Sequence, residues 1–382
     1  MKKILIVGAG LTGGVIARAL SEAGCAVTIL EQRGYVAGNC YTERDKDTGV
    51  MVHVHGPHIF HTDNEIVWNY VNSYTKFNPY ILRVKATTRN AVFGLPINLL
   101  TINQFFGKTL NPADAERFIK ALSVRHAHAP RTFEEQALEF LGEELYKSFF
   151  HDYPIKQWGL HPRKLPASVL KRLPVRFNYD DNYFSHRFQG IPVDGYTALF
   201  ENIVKHKNIE IKLNTKFVRS DACDFDHVFY TGPLDEWFDC DIGTLGYRTL
   251  SFEREVHDGD YQGCAVMSYP ESAVPFTRIS EHKHFAPWED HGRTVIFKEY
   301  SAQAQPGDIP YYPIRLAEEQ VLLKKYVDRA RNEKDVSFVG RLATYRYLDM
   351  DVTIGEALDA AKGFLEAGRE GTSAPAFFVN PA

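Results

Sequence analysis

A glycine turn near the amino terminus constrains this chain more than any other feature. Gly8-Ala9-Gly10-Leu11-Thr12-Gly13-Gly14 joins an apolar run, Lys3–Val7, to residues with helical spacing, 15–23. A second apolar run, Ala26–Leu30, ends at Glu31, about 20 residues on from the first glycine. An unbroken apolar run of this length reads as a buried parallel strand. Strand, G-x-G-x-x-G turn, helix, strand and acid form the dinucleotide-binding fingerprint. The glycines permit a tight turn and close backbone approach, a pyrophosphate sits on the helix N-terminus, and Glu31 accepts from ribose hydroxyls. The fold class is therefore α/β, with a Rossmann-like nucleotide-binding domain.

The 382 residues are too many for one simple core, so two or three domains are expected. A net charge of −4 excludes a general nucleic-acid binder, which would carry a strong positive excess. The five cysteines include no C-x-x-C pair, which argues against a disulfide framework or a zinc site and fits a reducing, cytoplasmic setting. The apolar run at the start is too short for a signal peptide or a membrane span, and no membrane partner is expected.

Further segments point to FAD. Arg33 and Gly38 stand in an R-x4-G pattern that resembles the extended signature of the FAD-binding family that includes glutathione reductase and monoamine oxidase. DHVFYTG, ending at Gly232, resembles the strand that passes under the cofactor there. VSFVG, 336–340, adds another strand before Arg341, and a helix is expected from about Thr353, with Thr353 and Glu356 as a capping box. Its positive end would face an electron-rich ring. The FAD-binding domain is thus expected to be discontinuous, over 1–75, 190–245 and 330–382. Residues 76–160 have mostly helical spacing, with Thr132 and Glu135 as a second capping box. Residues 161–189 and 246–329 read as an antiparallel-sheet substrate domain.

A second ligand signal lies in FFHDYPIKQWG, 149–159, which holds Phe149, Phe150, Tyr153 and Trp158. Lys156 lies within it, and Arg163, Arg172 and Arg176 follow. Rings and cations together hold a base and its phosphates. Arg172, in the proline-bounded LKRLPVRF, either closes over an anion or is a solvated surface charge. VHVHGPHIFH, 52–61, places His53 and His55 on one strand face, but no acid or cysteine sits at ligand spacing, so no metal is expected. Those two are read as core or surface imidazoles. His58 and His61 follow the Gly-Pro turn and are expected near the cofactor or a sugar.

GPHIFHTDN, LPINLLTINQFF, IKQWG, LPASVLKRLPVRFNYDDNYF, GDYQGCAVM and GRLATYRYLDMDVTI occur in this order and closely resemble the prokaryotic UDP-galactopyranose mutase family over nearly the whole chain. The resemblance implies a homodimeric enzyme that interconverts UDP-galactopyranose and UDP-galactofuranose. Reduced FAD (FADH−) would supply N5 as nucleophile at the sugar C1, with no net redox change and an external reductant such as NAD(P)H. It implies a uracil pocket at Phe149, Phe150 and Tyr153, with Trp158 by the ribose. Arg172 and Arg278 would contact the diphosphate, with Tyr183, Tyr312 and Tyr347 hydrogen-bonding it and Asp349 nearby. Gly8, Gly10, Thr12, Gly13, Glu31, Arg33, Gly38, Asn39, His58, Gly232, Arg341 and Met350 would bind the cofactor, with His61 as a catalytic group on its face. The chain departs from the family at Pro154, where relatives carry threonine, and at Leu82 and Ser268, where they carry asparagine. The alternatives are the same chemistry on UDP-N-acetylgalactosamine or a deoxy sugar nucleotide, and an amine-oxidase-like FAD oxidoreductase.

Overall fold

The structure is a computed structural model describing residues 1–167, 169 and 175–381. Its parallel sheet has five strands in the order Ile209–Lys212, Ala26–Leu30, Lys3–Val7, His227–Tyr230 and Val336–Phe338. Alternate residues of a strand face opposite ways, and a parallel sheet buries both faces. Ile4, Ile6 and Phe229 pack on Val15, Ile16, Phe200 and Ile354, from the helices Leu11–Glu22, Gly195–Val204 and Met350–Glu370. Leu5, Val228 and Tyr230 pack the other way, on Trp237, Phe338 and Tyr326. The first helix starts hard against the turn: a Cβ at Gly13 would lie 2.2 Å from the Gly8 carbonyl oxygen.

A second sheet has seven strands in the order Tyr312–Pro313, Tyr247–Asp258, Arg293–Gln303, Arg278–Glu281, Val266–Ser268, Val84–Thr88 and Ala91–Leu95. Its last two strands come from the stretch expected to be helical. They form a tight hairpin because Arg89 and Asn90 adopt φ of 51° and 57°, the left-handed pair that suits a two-residue turn. The sheet is also not wholly antiparallel, since Val266–Ser268 runs parallel to Val84–Thr88. The helices Leu99–Phe106, Pro112–Leu122 and Phe133–Leu145 follow and share a core built on Ile102, Ile119 and Leu141. The Thr132–Glu135 capping box forms as expected. A π-helical turn, Tyr146–Phe150, then leads into the short helix Asp152–Trp158, which stops at Gly159.

Two local expectations fail. The last helix begins at Met350, ahead of Thr353, and Glu356 pairs with Arg346, so the Thr353–Glu356 box does not form. The strand through His53 ends there, and His55 lies in the turn beyond it.

Glu281 fixes the strand that carries Arg278. It is fully buried and accepts from the amides of Tyr261, Gln262 and Gly263 at 2.8, 2.8 and 3.1 Å. Burial opposes its charge, but hydrogen bonds from His284 and these amides hold its carboxyl at about 2. A depressed folded pKa gives stability that is complete above the unfolded value, about 4.3, and is lost as pH falls toward 2. Glu281→Gln is expected to lower unfolding free energy at pH 7 by about 2–3 kcal/mol. It should also flatten the loss of stability on acidification in that window. Unchanged acid melting curves would count against this role.

Candidate active site

One cavity of ≈ 2690 Å³ is lined from both sheets and from the short helix Asp152–Trp158. Single-ligand pockets usually span about 300–1,000 Å³, so this one has room for more than one large molecule.

Its first half is built on the glycine turn. Gly8, Gly10, Thr12, Glu31, Arg33, Gly38 and Asn39 line it, whereas Gly13 is not part of the lining and packs on the Gly8 carbonyl. A Cβ at Gly10 would meet no atom within 4 Å, so a ligand can approach the backbone there. The Glu31 carboxylate accepts from the amides of Ala9 and Arg33, both at 2.9 Å, which uses two of its roughly four acceptor sites. Arg33 donates to Asn39 Oδ1 at 3.0 Å, and Gly38 lies close on Gly10 at a φ of 57°. Gly232, Arg341 and Met350 complete this half. The helix Met350–Glu370 has no side-chain cap at Asp349, and Met350 and Thr353 both line the cavity. Uncapped N–H groups and the helix dipole would favour negative charge beside them. These residues fit a dinucleotide with an electron-rich ring.

The second half is aromatic with a half-buried cation. Phe149, Phe150, Tyr153, Trp158, Tyr183, Arg278, Tyr312, Tyr347 and Asp349 line it. Tyr312 stacks on Tyr347 with centroids 5.6 Å apart, and Trp158 lies 6.0 Å from Tyr312. Burial pushes the hydroxyls of Tyr153 and Tyr312 above their ordinary range, so both remain protonated at neutral pH. Arg278 Nε and Nη2 donate to Glu299 Oε2 at 2.7 Å, and Thr277 Oγ1 donates to Glu299 Oε1 at 3.1 Å. Burial disfavours the guanidinium charge, but Glu299 beside it holds the Arg278 pKa well above its usual value.

The histidines are held neutral. Burial lowers His58 to about 4 against a hydrogen bond to the Gly56 carbonyl at 2.8 Å. A carbonyl can only accept, so Nδ1 carries the proton and Nε2 offers a lone pair. His61 lies 3.7 Å, centroid to centroid, from the ring of Phe184, and its Nδ1 shares a proton with His186 Nδ1 at 3.0 Å. Burial lowers its pKa although Asp349 pulls the other way. His53 is a core imidazole whose Nδ1 accepts from the His58 amide. His55 uses both ring nitrogens, one on Tyr35 and one on Tyr311.

Some expected site residues fall elsewhere. Arg172 lies outside the described residues. Lys156 is not a cavity cation. Its ammonium is held by the carbonyls of Tyr269, Glu271, Val274 and Phe276. Arg163 pairs with Glu134 at the surface. Glu299 and His186 went unnoticed in the sequence. Glu299 could have been found as an acid on the buried side of GRTVIFKEY, two residues from Phe297; His186 has no such signal.

The sequence profile described as UDP-galactopyranose mutase matches residues 148–347, and that of an NAD(P)-binding Rossmann-like domain matches residues 6–74. A probable UDP-galactopyranose mutase of Klebsiella pneumoniae is 57% identical over 378 residues, covering 99% of this chain and 98% of the relative. A dTDP-fucopyranose mutase of Escherichia coli is 51% identical over 377 residues, covering 97% and 100%. A crystal structure of a reduced UDP-galactopyranose mutase matches with a TM-score of 0.75 at 16% identity, over 99% of each chain, a likeness of fold.

The Arg278–Glu299 pair gives a direct test. Removing one partner of a buried pair strands the other charge, at a cost of about 3–5 kcal/mol when burial is complete. Arg278 is one-quarter exposed, so Glu299→Gln is expected to lower stability by about 2–3 kcal/mol. Arg278→Met combined with Glu299→Gln should cost less than the sum of the two, as thermal or denaturant unfolding would show. Strict additivity would mean the two side chains are not coupled.

Proposed function

The chain belongs to the UDP-galactopyranose mutase family, and from that premise we propose that it is an FAD-dependent isomerase interconverting UDP-galactopyranose and UDP-galactofuranose without net oxidation. The observation that carries this reading is the single cavity shared by the glycine turn and the Tyr153–Arg278 half. A dinucleotide cofactor and a nucleotide sugar would meet there. The glycine turn, Glu31 and the uncapped N-terminus at Met350 would hold reduced FAD, which would supply a nucleophilic ring nitrogen for the anomeric carbon. An external reductant such as NAD(P)H keeps it reduced.

The protein's own groups do the rest. Tyr153 stacks on the base, with Phe149 and Phe150 closing the pocket. Arg278 stabilises the negative charge that grows on the diphosphate as it leaves the sugar, and Arg172 is the second cation for that charge. Two Arg278 N–H groups are committed to Glu299, and the others of its five remain for phosphate oxygens. Tyr183, Tyr312 and Tyr347 add hydroxyl donors to the diphosphate. His58 offers its Nε2 lone pair to the cofactor ring, and neutral His61 lies beside it with Asp349 near.

A second reading keeps the chemistry and changes the substrate to dTDP-fucopyranose. It is favoured by the E. coli relative and by the apolar Leu82 and Pro154 in the cavity wall.

Anaerobically reduced protein is to be incubated with UDP-galactofuranose and, in parallel, with dTDP-fucopyranose, and the products separated by chromatography. Formation of UDP-galactopyranose is expected. Turnover of the dTDP sugar alone moves the assignment to the second reading. No isomerisation of either, with oxygen consumed on an amine, ends the mutase reading. Arg278→Ala should lose about 10²–10³ in kcat, the scale for one transition-state donor, and Arg278→Lys should rescue poorly because it lacks the planar fork. Tyr153→Ala should weaken UDP binding by about 1–3 kcal/mol and Tyr153→Phe by far less. Equal losses from the two would replace stacking with a role for the hydroxyl.

A further inference from the structure

Two neighbouring antiparallel strands, Phe60–Thr62 and Phe188–Pro192, pair His61 with Gln189. Gln189 Nε2 donates to the carbonyls of Phe184 and His186 at 3.3 and 2.8 Å, and the Arg187 amide donates to Asp63 Oδ1 at 2.6 Å. The backbone before the second strand is tied down in this way with His186 against His61. Their Nδ1 atoms lie 3.0 Å apart, closer than the roughly 3.5 Å at which ring faces touch, and their planes differ by 20°, so the rings meet along their edges. Such a contact holds one proton, donated by one ring and accepted by the other. The ring that accepts at Nδ1 carries its own proton on Nε2, and the ring that donates offers a lone pair at Nε2. Moving the shared proton across swaps both roles. Both residues line the cavity, and His186, half-buried, is the more open of the two to water. Burial disfavours a positive His61, while Asp349 and Asp351 would repel an anionic imidazolate there. His61 can therefore exchange a proton with a ligand only if a second proton moves behind it.

We propose that His61 and His186 form a proton relay for the ring change of the sugar, His61 serving the sugar and His186 passing protons to and from solvent. When a pyranose becomes a furanose, the C1–O5 bond breaks and O5 takes a proton, while O4 gives up its proton and bonds to C1. His61 Nε2–H gives its proton to O5, His186 Nδ1–H passes its proton to His61 Nδ1, and His186 Nε2 takes one from a solvent acid. O4 then returns a proton to His61 Nε2, the chain runs back, and His186 Nε2 releases one to solvent. Neither ring is left charged, and no proton is gained or lost overall. The inference rests on the isomerase reading of this cavity and holds for either sugar, since both carry O4 and O5. His186 touches no reacting atom and is a positioning residue that acts through His61.

The test combines NMR and kinetics on the FAD-loaded protein. In the native chain with 15N-labelled histidine, one of the two Nδ1 atoms should be protonated and the other not, with a coupling across the N–H···N bond. Absence of that coupling overturns the relay, and this measurement needs no variant to fold. With reduced protein, His186→Ala should lower kcat about 10²-fold, the lower end for a general acid–base group, with UDP affinity unchanged. Imidazole added to the buffer should restore part of that loss. His186→Asn can still donate to His61 Nδ1 but cannot pass a proton on, so it should lose as much kcat as alanine. Near-normal kcat in His186→Asn leaves His186 holding a tautomer only, and overturns the relay. A loss in His186→Ala that imidazole does not rescue, with UDP binding weakened alongside, marks a structural role and overturns it too. A native protein that isomerises neither sugar nucleotide removes the isomerase reading and the relay with it. Native isomerisation with the two rings uncoupled overturns the relay alone.

Discussion

Four carbonyl oxygens around one ammonium hold the aromatic half of the cavity together. Lys156 donates to the backbone of Tyr269, Glu271, Val274 and Phe276, while Asp152 accepts from the amide of Ser272. From the other side, Arg248 reaches the carbonyls of Gln157 and Lys156. The helix Asp152–Trp158 has seven residues, far too few to persist alone. Its geometry is therefore imposed by these contacts with the seven-stranded sheet and the loop before Arg278. The distance between the ring of Tyr153 and the cation of Arg278 follows from that clamp. Lysine suits the position because an ammonium is a compact charge with three donors on a flexible stem, whereas a planar fork would match one carboxylate better than a ring of carbonyls.

Around Arg278 the neighbouring histidine and tyrosine rings are kept neutral. Burial keeps His58 at about 4 and keeps His61 below its usual value, so neither adds charge at neutral pH. Tyr153 and Tyr312 stay protonated. Arg278 holds a fixed charge, and Glu299 fixes its orientation. In a low-dielectric pocket a donor already aimed needs no reorganisation when negative charge appears, and this is where such donors gain most over water.

Much of the parallel sheet was legible because its rules are local. Lys3–Val7 and Ala26–Leu30 read directly as strands, since a sheet buried on both faces demands continuous apolar runs. The hairpin at 84–95 was missed although Arg89-Asn90 is a turn pair, because the helical periodicity after Asn98 was extended backward over it. The aromatic residues of 149–158 were legible as a cluster, and they line the cavity, but Lys156 was misread: a cation beside rings looks the same in sequence whether it faces phosphate or backbone carbonyls. Glu299 and His186 act through partners 21 and 125 residues away, and no spacing rule connects them.

The family departures at Leu82, Pro154 and Ser268 converge on one wall. Val266–Ser268 runs parallel to Val84–Thr88, with Val266 opposite Val84 and Ser268 opposite Ala86. Residues paired in this way share a face of the sheet, and Leu82 enters the same strand from just outside it. Pro154 sits beside Tyr153 on the helix Asp152–Trp158 and lines the same cavity as Leu82 and Ser268. Where the resemblance implies asparagine and threonine, Leu82 and Pro154 bring no hydrogen-bonding side chain to the edge of the pocket and favour contact with an apolar ligand edge, at about 25 cal/mol for each Å² withdrawn from water, whereas Ser268 keeps a hydroxyl. A pocket of this kind depends on ring stacking and shape, and it would be tolerant where thymine and uracil differ, at a single methyl group. Sugar choice is separable from that wall. On the proposed function it would belong to the part of the lining that holds Arg278, Tyr347 and His61.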